Sequence, residues 1–125
     1  MMVYVDTHVL VWLFFGEPQR LSAMAREAIA ENETVTSAAA VLELELLHEI
    51  GRTRQTASAI VASLQSAIGL RVGDLPFRDV VTHALKETWT RDPFDRLIVA
   101  NAKAAGAPLV TKDARIRKHY RRAVW

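Results

Sequence analysis

Val3-Tyr4-Val5-Asp6-Thr7-His8-Val9-Leu10-Val11-Trp12-Leu13-Phe14-Phe15 is the stretch on which the fold turns. Its first three residues are β-prone and are stopped by Asp6-Thr7, which predicts a short buried strand. Thr7 to Phe15 then predicts an apolar helix, broken by Gly16-Glu17-Pro18. The same alternation continues along the chain. Ser22 is placed to cap a helix running to about Glu31, and Thr34-Val35-Thr36 reads as a second strand. Ser37 starts a long helix ending near Gly51, a natural residue just beyond a helix C-terminus. Thr53 to Ile68 predicts another helix, with Ala57, Ile60, Val61, Leu64 and Ile68 on one stripe. Leu70-Arg71-Val72 reads as a third strand, and Arg78 to Trp89 as a helix. Asp92-Pro93 opens a helix ending at Gly106, and Leu109-Val110-Thr111 forms a fourth strand. A short helix follows Asp113, and Ala123-Val124-Trp125 reads as a last strand. Such alternation predicts an α/β protein with a parallel sheet and helices on both faces.

The chain has 125 residues, half of them hydrophobic and 24% charged, enough for a single domain over 1–125 with one core. There is no cysteine, which excludes disulfides and Cys-based zinc or redox sites. The longest apolar run, Val9 to Phe15, spans seven residues. A membrane helix needs about 20, so no membrane association is expected. With Asp6 and His8 beside it and no basic residue before it, the run does not resemble a signal peptide, and a cytoplasmic location is expected. Formal net charge is only +2, but Arg115, Arg117, Lys118, His119, Arg121 and Arg122 crowd the C-terminal end. That cluster is either a solvated basic surface or a contact for phosphates.

Ligand sites of open parallel sheets lie beyond the carboxyl ends of the strands. Asp6 follows the first strand there, and Asp113 the fourth. Each alone is explained by helix capping. Glu43 has Ala39, Ala40, Leu46, Leu47 and Ile50 as its helical neighbours, which puts it within an apolar face. Glu45, about 200° away around the helix, is expected to face solvent. A buried carboxylate requires a partner, so Glu43 calls for an arginine or a metal ion. Asp92 is a natural N-cap before Pro93, while Asp95 either completes a capping box or leans toward the core with Ile98 and Val99. Carboxylates gathered at one sheet edge repel one another, and a divalent cation removes that cost. Oxygen ligands suit Mg²⁺ or Mn²⁺, which activate water for attack on a phosphodiester. His8, His48, His83 and His119 show no metal-binding spacing, and the aromatic residues of Val9–Phe15 read as core. No Gly-rich phosphate loop is present, and Ser37 and Ser58 have no visible triad partners.

Four segments resemble the motifs of PIN domains, specifically the VapC-type toxins of toxin–antitoxin pairs. Val3-Tyr4-Val5-Asp6-Thr7-His8-Val9-Leu10-Val11-Trp12 is similar to the family's first strand, catalytic Asp and following helix. Ser37-Ala38-Ala39-Ala40-Val41-Leu42-Glu43 resembles the segment ending in its Glu. Asp92-Pro93-Phe94-Asp95-Arg96-Leu97-Ile98-Val99-Ala100-Asn101-Ala102 resembles the third motif, whose acid maps to Asp95, and Leu109-Val110-Thr111-Lys112-Asp113 the fourth. Leu42 and Thr90 depart from residues common in relatives, Trp and His, but neither position is an acid. The resemblance implies a three-layer α/β/α sandwich with about five parallel strands. It also implies Mg²⁺- or Mn²⁺-dependent cleavage of RNA, with tRNA or rRNA as frequent targets. Asp6, Glu43, Asp95 and Asp113 would be the catalytic residues. Asp6, Asp95 and Asp113 would hold the metal, with Thr7, Thr111 and Asp92 in support. An antitoxin whose tail blocks the acidic pocket is implied, as is a homodimer, expected through the stripe of the helix after Arg52.

Other assignments fit less well. A degenerate PIN domain that only binds RNA or protein would have lost acids, and here all four are present. A phosphoacceptor receiver domain would need a second acid beside Asp6, where Thr7 stands. A haloacid-dehalogenase-like phosphatase would need Asp at the position of His8. A DNA-directed nuclease of the same fold stays open, although the long insertions of flap nucleases are missing.

Overall fold

A computed structural model describes all 125 residues. Strand β1 (Met2–Val5) leads into α1 (Thr7–Phe14), a 3-10 turn (Pro18–Arg20), α2 (Ala23–Glu31) and β2 (Glu33–Thr36). Next come α3 (Ala38–Glu49), α4 (Ala57–Ile68), β3 (Arg71–Val72), α5 (Phe77–Ala84) and α6 (Pro93–Ala105). Strand β4 (Leu109–Val110), α7 (Ala114–His119) and β5 (Ala123–Val124) complete the chain. The five strands form one all-parallel sheet in the order β3-β2-β1-β4-β5. From β1 the chain first crosses toward β3 and later passes to the β4–β5 side, so right-handed crossovers place helices on opposite faces. The expected α/β sandwich is the fold observed. Reversal of strand order between β1 and β4 opens a crevice at their carboxyl ends.

The core joins Val3, Val5, Val35, Leu109 and Val110 from the strands to Leu10, Leu44, Ile60, Ile98 and Ile116 from the helices. Each such side chain contributes about 1.5–3 kcal/mol on full burial. No helix is long and apolar enough to cross a membrane.

Several local expectations need correction. Helix α4 begins at Ala57 rather than Thr53, because Thr56 Oγ1 caps it by accepting from Ala59 N–H at 3.2 Å. Glu45 does not face solvent: half-buried, it accepts from Ala57 N–H at 3.0 Å and so ties α3 to the start of α4. Helix α5 covers Phe77–Ala84, not Arg78–Trp89. Beyond Ala84 the chain tightens into turns that bury the Glu87 carboxylate, which pairs with Lys103 and accepts from Trp89 Nε1 at 2.6 Å. The face of α3 turned to the core carries Ala40 and Leu44, whereas Leu42, Leu46 and Ile50 form an exposed stripe. Of the apolar stripe of α4, Ala57, Ile60 and Leu64 are buried inside the chain, while Val61 is half-buried and Ile68 is exposed.

Candidate active site

The four acids singled out in the sequence line one cavity of about 300 Å³ at the β1–β4 crevice, together with His8, Trp12 and Lys112. Each arrives from a different element. Asp6 follows β1 directly, and its buried carboxylate does two things at once. One oxygen caps α1 by accepting from Thr7 N–H at 2.7 Å, and the other accepts from Thr111 Oγ1 at 2.7 Å. Burial raises the Asp6 pKa above the usual carboxylate range, against the lowering effect of these hydrogen bonds. Glu43 enters from the second turn of α3 and accepts from Thr7 Oγ1. Its partner is thus a hydroxyl; no arginine pairs with it. Its pKa is also raised, chiefly by burial and further by Asp6.

Asp92 and Asp95 separate cleanly. Asp92 Oδ1 caps α6, accepting from Phe94 N–H at 2.8 Å and Asp95 N–H at 3.3 Å. A capping box would have Asp95 accept from Asp92 N–H, but that group donates to Thr90 Oγ1 at 3.1 Å. Asp95 is therefore not a capping residue; its half-buried carboxyl faces the cavity. Burial, then Asp92, Asp113, Asp6 and Glu43, push its pKa up to about 7. Asp113 does cap α7, accepting from Arg115 N–H at 2.8 Å and Ile116 N–H at 3.1 Å, while also lining the cavity. Thr111 Oγ1 donates to Asp6 and accepts from Asp113 N–H at 3.1 Å, so one buried hydroxyl fixes both acids.

The PIN-domain family model matches residues 3–122. The chain belongs to the PIN-domain family. Ribonuclease VapC22 of Mycobacterium tuberculosis is 39% identical over 119 residues, covering 94% of this chain and 91% of that protein. Among solved structures, VapBC-1 from nontypeable Haemophilus influenzae matches 94% of this PIN domain and 91% of its own chain, with a TM-score of 0.65 at 16% identity. The DNA-bound VapBC from Salmonella typhimurium covers 98% of this chain and 95% of its own, with a TM-score of 0.62 at 16% identity. Identity that low carries the fold alone.

Within this PIN domain, sequence reasoning missed His8 and Lys112 as parts of the pocket, and Thr90 as a support for the start of α6. Thr90 is buried, and through Asp92 N–H and a carbonyl that accepts from Arg96 Nε at 2.8 Å it sets where α6 begins. The only sequence signal is a hydroxyl two residues before an N-cap. His8 and Lys112 sit on the rim, each beside a recognised acid, and Lys112 brings a positive charge to the cavity. Trp12, expected in the core, packs against it partly buried and also forms part of the cavity wall.

The donor set suits a hard divalent cation, because it is all carboxylate oxygen and the acids raise one another's pKa. No group of three acidic or histidine side chains already stands at the spacing of a closed metal cage. Mg²⁺ does not require one, since it keeps several waters and takes only one or two carboxylates directly. The residues therefore fit such an ion.

Proposed function

We propose that this chain is a Mg²⁺- or Mn²⁺-dependent endoribonuclease, the toxin of a toxin–antitoxin pair acting in the cytoplasm. The observation that carries this assignment is the shared cavity of Asp6, Glu43, Asp95 and Asp113, in which Asp95 is pushed up to about 7 by its neighbours. A relative named a ribonuclease, similar over nearly the whole chain, supports RNA as the substrate. Asp6, Asp95 and Asp113 would hold the ion, one or two of them directly and the rest through its waters. When bound, it supplies water activation and stabilises the charge that develops on the phosphate. Glu43 faces the same cavity and takes a proton from the attacking water, a role suited by its raised pKa. Thr7 holds Glu43 and Asp6 in register, and Thr111 does the same for Asp6 and Asp113. Lys112 offsets phosphate charge at the rim. Retention of all four acids in one cavity supports catalysis over a non-catalytic binding module.

Purified protein incubated with RNA and Mg²⁺ or Mn²⁺ is expected to produce internal cuts, read as discrete fragments on a denaturing gel. Intact RNA after prolonged incubation with folded protein would overturn the assignment.

The expected partners are a small antitoxin whose tail closes the acidic pocket, and a second copy of this chain. We place that copy on the exposed stripe of α3, Leu42, Leu46 and Ile50, and on the adjoining Leu75 and Phe77. Phe77 is 69% and Ile50 68% exposed, an apolar patch that a lone chain would leave in water. Light scattering should show a dimer for the natural chain and a monomer for Leu46→Glu/Phe77→Glu. A monomeric natural chain at micromolar concentration would sink this placement.

A further inference from the structure

A second cleft, of about 440 Å³, borders the acidic pocket. Trp12 lines both, with Asp6, Glu43, Asp95 and Asp113 around one and Arg20, Arg52 and Arg54 around the other. The two cavities therefore share an aromatic wall. Three arginines against Glu17 leave the second cleft with two positive charges in excess. Arg20 pairs with Glu17 and lies over the Trp12 ring, 6.0 Å from its centroid. Arg52 and Arg54 are exposed and form no salt bridge.

The loop that carries these two arginines is fixed from within. Gly51 adopts a left-handed turn at φ 79°, and Arg52 N–H donates to Leu47 C=O at 2.7 Å. Thr53, between the arginines, is buried; His48 Nδ1 meets its carbonyl at 3.0 Å and its hydroxyl donates to Gln55 C=O at 3.0 Å. With Thr53 turned inward, Arg52 and Arg54 stand together on the cleft side. Two unpaired like charges add nothing to stability, and a loop already ordered loses little entropy when a ligand arrives. Guanidinium groups beside a half-buried indole that lines the cleft are the chemistry that holds a single-stranded polynucleotide: charge for phosphates, a ring for a base. Such a site also answers an electrostatic problem, because four carboxylates alone would repel a polyanionic strand.

We propose that the cleft of Trp12, Arg20, Arg52 and Arg54 is a substrate subsite for single-stranded RNA, holding the strand next to the phosphate that enters the acidic pocket. Arg52 and Arg54 grip flanking phosphates, Arg20 orients the indole, and Trp12 packs against a base. This inference rests on the ribonuclease assignment above.

The test uses a short fluorescein-labelled single-stranded RNA and the non-cleaving Asp95→Asn protein, with binding followed by anisotropy across a salt series. Adding Arg52→Gln/Arg54→Gln is expected to weaken binding about tenfold or more at low salt. The slope of log affinity against log salt should flatten by about 1.4, two phosphate contacts at about 0.7 each. Trp12→Ala should weaken binding to a similar degree with little change in slope, and Trp12→Phe should restore most of the loss. In protein with Asp95 intact, the arginine pair should raise KM by the same factor and leave kcat at saturating RNA unchanged. If the natural chain cleaves RNA but the arginine pair changes neither affinity nor slope, the subsite is overturned and the ribonuclease assignment stands. If the natural chain cleaves no RNA, that assignment fails, and anisotropy still decides the cleft. A pair that loses binding of poly-glutamate but keeps RNA marks a protein-docking surface and also overturns the proposal.

Discussion

Asp95→Asn is expected to lower RNA cleavage by about 10²-fold or more, whereas Asp92→Asn, three residues earlier, should change it little. The two acids have separate duties. Asp92 satisfies the first backbone donors of α6 through one oxygen, and asparagine caps as well as aspartate does. Asp95 makes no cap; its carboxyl stands in the cavity with Asp6, Glu43 and Asp113. Replacing it with an amide preserves shape but removes charge from the set proposed to hold the cation. Both variants should fold. In metal-free protein near pH 8, Asp95→Asn should even be slightly more stable, because one member of a mutually repelling group has become neutral. The measurement is cleavage by both variants at fixed Mg²⁺, alongside their thermal unfolding. An inactive Asp92→Asn with a fully active Asp95→Asn would reverse the assignment.

Removing divalent ions should abolish cleavage, and Mg²⁺ or Mn²⁺ should restore it. The same carboxylates predict how stability responds. Asp95 titrates near 7 in the folded chain, raised first by burial and then by Asp92, Asp113, Asp6 and Glu43. In the unfolded chain it titrates near 4. Between these values the folded state binds more protons, so metal-free protein loses stability as pH rises through that window. Asp6 and Glu43 are shifted in the same direction and add to the trend. Solvent screening of the half-buried Asp95 reduces its share to about 1–2 kcal/mol. The EDTA-treated protein should therefore melt at a higher temperature near pH 5 than near pH 8. Added Mg²⁺ should raise the melting temperature at the higher pH and have little effect at the lower, where protons already occupy the site. Undiminished cleavage in EDTA, or stability that rises from pH 5 to 8 without metal, would refute the cation-binding role of these acids.

Much of the molecule was legible before any coordinates. Strand and helix order follows from local pattern: Val3–Val5 is too short and β-prone to be helical, and Gly51, Gly69 and Gly106 end helices or begin turns that need positive φ. The acids at strand ends are likewise visible, because a carboxylate between a buried strand and an apolar helix stands out in one dimension.

What stayed hidden depends on contacts between residues far apart in the chain. A helical pattern says that Glu43 is near apolar residues, not which face of α3 meets the core; Ala40 and Leu44 do, and the stripe of Leu42, Leu46 and Ile50 is left outside. Glu45 reads as a surface charge until α4 is seen to place Ala57 N–H against it. Trp12 reads as core and does pack against it, but sequence cannot show that it also borders an acidic pocket on one side and arginines on the other. By itself the sequence determined the element types, the parallel α/β class and the acids at the strand ends, because propensity, capping and periodicity act over a few residues. Only the tertiary structure decided that Asp6, Glu43, Asp95 and Asp113 share one cavity, that Thr7 and Thr111 bridge them, and that Asp95 titrates near 7. Desolvation and charge repulsion depend on distances across the β1–β4 crevice, and those distances exist only once the sheet has closed.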